Sequence, residues 1–126
     1  MAKVKEFMSM TKAYDEFFDF ANVYICEAHP SDGTWNFEEN IKIENHKSIE
    51  ERIAAAGQLQ EIIGTDPKVP LYVDTMADTA SKTFASVPER LVVVLDGKMI
   101  WQGGKGPVDY SLKAAEDWMI EFIKRR

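Results

Sequence analysis

The chain has 126 residues, 45% of them hydrophobic and 29% charged, with a net charge of −6 and an acidic pI of about 4.9. That length makes one domain over residues 1–126 and buries enough surface to fold without a disulfide or a metal. The acidic balance argues against nucleic-acid or anionic-membrane partners, which need a basic face. The single cysteine, Cys26, excludes an internal disulfide or CxxC pair. No apolar run reaches the length of a membrane span, and the start Met1-Ala2-Lys3-Val4-Lys5 is no signal peptide. A soluble, cytoplasmic protein is expected.

Val4, Phe7, Met8, Tyr14 and Phe18 recur at helical spacing and predict an opening helix. Phe20–Cys26 reads as a strand, with strong β preference in Val23-Tyr24-Ile25. A long polar connection follows over 30–45, with Trp35 and Phe37 embedded in it. Connections of that length usually carry function. Ser48-Ile49-Glu50-Glu51 is a capping box. It predicts a helix with Ile49, Ile53, Ala56, Leu59, Ile62 and Ile63 on one face and Gly64 at its end. Val69–Val73 is a short strand, and 77–85 a short helix. Leu91–Leu95 is a continuous apolar run, expected for a strand covered on both faces. Asp96-Gly97 signals a hairpin turn into Lys98–Gln102. After a Gly-rich loop, Leu112, Ala115, Trp118, Met119, Phe122 and Ile123 form one face of a closing helix.

Strands alternating with helices imply α/β architecture with parallel strands, and a terminal hairpin followed by a helix is the back half of a thioredoxin fold. Such a fold begins with a strand and carries its nucleophile where that strand meets the first helix. This chain opens inside that helix.

Where the first strand ends, Tyr24-Ile25-Cys26-Glu27-Ala28-His29-Pro30-Ser31-Asp32-Gly33 resembles the signature of the iodothyronine deiodinases. His46 follows at the spacing of the second family histidine. Val73-Asp74-Thr75-Met76-Ala77, Glu89-Arg90-Leu91 and Trp101-Gln102-Gly103-Gly104-Lys105-Gly106-Pro107 resemble further family blocks in the same order. The resemblance implies a thioredoxin-like, peroxiredoxin-type mixed sheet flanked by helices. It also implies a selenocysteine nucleophile, a thiol reductant as co-substrate and a small iodinated aromatic substrate. Met1-Ala2-Lys3-Val4-Lys5-Glu6-Phe7 resembles the segment after the family's selenocysteine. The expectation is therefore a chain beginning after an in-frame UGA read as a stop, lacking the first central strand and inactive as it stands. A gene with no such codon just upstream would rule this out. An upstream membrane anchor, as in vertebrate family members, stays open.

The resemblance assigns His29 to the substrate phenol, with His46 beside it in proton management. A turn-stabilising role for His29 and a surface position for His46 are the structural alternatives. Glu27 orients His29 or takes part in a proton relay, and a solvated carboxylate at a strand end is the alternative. Tyr24 is a family site residue, with core packing ranked first. Lys105 stands where the family often carries an arginine clamp for the substrate carboxylate. Lysine keeps the charge without the bidentate fork, and the alternative is a solvated loop lysine. Trp35 falls in an insertion that the family carries near its substrate, and packing is the alternative. Pro88 matches a cis-proline position facing the active site. Cys26 is either a resolving thiol or a small buried hydrophobe, and the hydrophobe is favoured. No metal is expected. Two rival functions remain: a peroxiredoxin- or thioredoxin-like thiol redox protein, and a non-catalytic binder of aromatic ligands. With the central strand missing, the flanking strands are expected to pair directly or copies to dimerise across exposed edges.

Overall fold

A computed structural model of the chain describes residues 2–26, 46–87, 89–106 and 109–125. The elements are α1 (Ala2–Ala13), β1 (Asn22–Tyr24), α2 (Ile49–Ile63), β2 (Leu71–Val73), α3 (Thr79–Thr83), β3 (Val92–Leu95), β4 (Lys98–Gln102) and α4 (Leu112–Lys124). Their order is the one read from the sequence. Glu27, His29, Trp35, Phe37 and Pro88 lie outside the described residues.

The strands form two small sheets. β1 and β2 pair in parallel, with Val23 opposite Tyr72. The pairing continues past both ends: Asn22 N–H donates to Pro70 O at 2.9 Å and Asp74 N–H to Tyr24 O at 2.8 Å. Pro70 has no N–H to give, which shortens β2 from the expected start at Val69. β3 and β4 pair antiparallel, with an irregularity between Val93 and Val94. The Asp96-Gly97 turn has positive φ at both residues, 52° and 77°, as a two-residue hairpin of primed type requires. The expected direct pairing of β1 with β3 is not formed: among the described residues the two sheets are separate.

Helix α2 begins as its capping box demands. Ser48 Oγ accepts from Glu51 N–H at 3.2 Å, and the Glu51 carboxylate accepts from Lys47 N–H at 3.1 Å. Its buried face differs from the expected one. Arg52, Ala55 and Ala56 are buried, whereas Ile53 and Ile62 are 54% and 46% exposed. Reading the face by hydrophobicity excludes an arginine, yet this arginine finds partners inside through its Nε and Nη1, and small alanines stand beside it on the face of α2 that packs on β2. Val94 and Leu95 also depart from expectation, at 50% and 48% exposure. β3 has only β4 beside it among the described residues, so its run is not covered on both faces.

An array of aromatic rings joins the layers. Trp101 of β4 stacks on Trp118 of α4 at 6.1 Å, and Trp118 stacks on Phe122 at 5.2 Å. Phe122 meets Phe18 at 5.9 Å, Phe18 meets Phe20 at 6.4 Å, and Phe20 meets Phe7 of α1 at 6.2 Å. Met10, Ala115 and Met119 are buried with them. α4 is capped by Ser111, whose Oγ accepts from Ala114 N–H at 3.1 Å.

Candidate functional site

The carboxyl ends of β1 and β2 lie side by side, the position where open α/β sheets hold ligands. Asp74 follows β2 directly and is 4% exposed. Its Oδ1 accepts from the backbone N–H groups of Thr75 and Ala80, each at 2.8 Å, and its Oδ2 from Ser81 N–H at 3.0 Å. Burial alone would raise this carboxyl's pKa. The three backbone donors, with Arg52 nearby, outweigh burial and hold it below the ordinary value of 3.8. Asp74 thus caps the amino end of α3 in place of Asp78, the residue at the cap position. Asp78 sits in the left-handed region at φ 58° and makes no side-chain cap bond.

The Asp78 carboxylate instead meets Arg52, at 3.0 Å from its Nη1. Arg52 rises from the first turn of α2 and is 3% exposed. Its Nη1 also donates to Thr75 O at 2.6 Å, and its Nε–H donates to His46 Nδ1 at 2.9 Å. The His46 ring lies 5.5 Å from the ring of Tyr24, tilted by 40°. Burial first, then the Arg52 charge, lowers the His46 pKa from 6.5, while Glu51 and Asp78 pull the other way without prevailing. Cys26, two residues beyond Tyr24, is half-buried. Burial and then Asp78 push its thiol above the ordinary value of 9.0; Arg52 pulls it down and Asp74 adds to the rise. Such a thiol is a poor nucleophile at neutral pH.

Of the residues singled out in the sequence, Tyr24 and His46 come together, with Cys26 within electrostatic reach of the same Arg52–Asp78 pair. Lys105 lies on the loop after β4, its side chain exposed. That loop is pinned: Gly103 N–H donates to Leu91 O at 2.8 Å, Gly106 N–H to Glu89 O at 3.0 Å, and Asp109 N–H to Lys105 O at 3.0 Å. A Cβ on Gly104 would run into the Asp109 backbone, and one on Gly106 into the Glu89 side chain. Tyr110 closes the loop, its pKa pushed up to about 12 by burial and by Glu89. A separate cleft is lined by Lys12, Asp15, Phe18, Lys68, Pro70 and Tyr72. It lies at the amino ends of the strands, away from the Arg52–His46 cluster.

Sequence reading missed Arg52, Asp74 and Asp78. Two signals were present. Arg52 stands on the same helical face as Ala55 and Ala56, a stripe too small to be a core by itself. Asp74 ends a strand and precedes a run of Thr, Ala, Asp and Ser that makes no further strand.

Residues 1–122 match the family described as iodothyronine deiodinase. Thyroxine 5-deiodinase of Sus scrofa is 36% identical over 122 residues, covering 97% of this chain and 39% of that protein. The Homo sapiens thyroxine 5-deiodinase gives the same figures. That of Gallus gallus is 34% identical over 125 residues, 99% of this chain and 47% of the relative. The chain therefore spans less than half the length of these relatives.

Proposed function

Because the chain belongs to the iodothyronine deiodinase family, we propose that it forms the substrate-handling core of an enzyme that reductively removes iodine from thyroxine-like iodothyronines. The observation that carries this reading is the Tyr24–His46–Arg52–Asp78 constellation at the carboxyl ends of the parallel β1–β2 pair. A half-buried imidazole beside a tyrosine suits the phenolic oxygen of an iodinated ring. The family resemblance adds His29 and Glu27, which follow β1 in the sequence, to the residues that handle the substrate, together with Trp35, Pro88 and the cation Lys105. In the overall reaction iodine leaves carbon, a proton replaces it, and two thiols become a disulfide as iodide departs. A selenolate takes the iodine first and a thiol then releases it.

The fold we assign is thioredoxin-like. The parallel β1–β2 pair, the antiparallel β3–β4 hairpin and the closing helix α4 support it, as does the separation of the two sheets. A central strand between β1 and β3 would unite them, and its tip would present the selenocysteine to His46. Cys26, the one cysteine of this chain, is held as a thiol and does not fill that role.

The test is to place a strand ending in selenocysteine, or in cysteine, ahead of Met1 and to compare thyroxine deiodination with peroxide reduction. Iodide release dependent on added thiol, abolished by His46→Ala, is the expected outcome. Peroxide turnover without iodide release would favour a peroxiredoxin-like enzyme. Thyroxine binding without any turnover would favour a binding module.

A further inference from the structure

We propose that Arg52 is a positioning residue that locks His46 as a neutral Nε2–H donor, so that His46 orients a substrate oxygen without passing it a proton. The inference rests on the site assignment above and assigns a division of labour within it.

A guanidinium has only donors and does not lose its proton in proteins. Its Nε–H stands 2.9 Å from His46 Nδ1. Nδ1 must therefore present its lone pair, and the single proton of the neutral ring resides on Nε2. Arg52 is in no position to swing away. Its Nη1 is fixed by Thr75 O at 2.6 Å and by the Asp78 carboxylate at 3.0 Å, and the residue is 3% exposed. Thr75 is itself set by Asp74, which the backbone of Ala80 and Ser81 holds in turn. A rigid path thus runs from the start of α3 through Asp74, Thr75 and Arg52 to the imidazole.

Among the described residues, the charged and titratable groups facing His46 are Arg52 and Glu51 from α2, Asp78 from the segment before α3, and Tyr24 from β1. Burial and the Arg52 charge disfavour imidazolium, and the two carboxylates do not reverse the balance. A neutral imidazole N–H is a very weak acid. It polarises an oxygen by hydrogen bonding, as neutral imidazoles do where a neighbouring dipole or charge keeps them unprotonated. The proton that replaces iodine must then come from a different group.

The tautomer is directly measurable in the full chain by two-bond proton–nitrogen NMR correlations, with His29→Gln to assign the two histidines. Through the neutral range, His46 is expected to show a bare Nδ1 and a protonated Nε2, taking up its second proton only below the ordinary value of 6.5. In Arg52→Met the two tautomers should mix and protonation should move up toward that value. In Arg52→Lys, which keeps charge but has no Nε–H fork, the tautomers should mix as well. A wild-type ring carrying its proton on Nδ1, or already a mixture, overturns the proposal. So does an unchanged tautomer in folded Arg52→Met. If the variants do not fold, the wild-type spectrum decides alone. The readout needs no substrate, so a failure of the deiodinase reading, seen as no iodide release from the extended chain, is told apart from a failure here.

Discussion

Burying a guanidinium costs several kcal/mol unless its donors are matched, and Arg52 meets that demand with a carboxylate, a carbonyl and an imidazole nitrogen. Asp74 solves the same problem in the opposite sense, with three backbone N–H groups around one buried carboxylate. Its folded pKa lies below its ordinary 3.8. The stabilisation it gives is therefore complete above the unfolded pKa and disappears as pH falls through the folded one. Asp74→Asn should lower stability at neutral pH and flatten the acid limb of the stability curve, measured by urea denaturation from neutral to acidic pH. An unchanged acid limb would remove Asp74 from the site's framework. Neither residue was singled out from the sequence, although each left a local signal there. A charge normally marks a solvated face, and nothing in the linear order shows that residues 23 apart, Arg52 and Thr75, share a hydrogen bond.

Local rules did best where the chain signals to itself. The Ser48 cap, the Gly64 stop and the Asp96-Gly97 turn each depend on neighbours within a few residues, and each was readable. The extents of α1 and β1 were not: α1 ends at Ala13 and a turn closes on Tyr14, so Phe18 packs from the connection and not from the helix. The loop after β4 shows how glycine spacing sets geometry. In Gly104→Ala the new methyl meets Asp109 backbone, which cannot turn aside, and overpacking of that kind costs about 1–3 kcal/mol. In Gly106→Ala it meets only the flexible Glu89 side chain and should cost less. Thermal melts of the two variants check this order. The Lys105 position should be disturbed in the first and largely kept in the second.

Across the molecule, the two sheets share no ladder, and among the described residues β1 and β3 each have one hydrogen-bonded neighbour. Val23, Tyr72, Val94, Leu95, Met99 and Ile100 are exposed on these strands. Bare edges with apolar flanks recruit further strands. The 126-residue chain should accordingly self-associate, seen as a concentration-dependent sedimentation coefficient, and the extended chain with its added strand should not. A strictly monomeric 126-residue chain at high concentration would count against the open-edge reading. No described helix is long and apolar enough to cross a membrane. The element order and the parallel β1–β2 pair were legible because crossover rules leave few choices. The expected direct pairing of β1 with β3 was not borne out among the described residues. Strand pairing needs both backbones within reach, and the aromatic array from Trp101 to Phe7 holds the hairpin through α4 instead.

The stacked indoles of Trp101 and Trp118, 6.1 Å apart with planes at 29°, are close enough to couple their electronic transitions. Near-ultraviolet circular dichroism should therefore carry a paired band that vanishes when the closing helix lifts from the hairpin. The fold contains its own optical gauge of that docking, and titrating in an added strand or a ligand can be followed through it without any label.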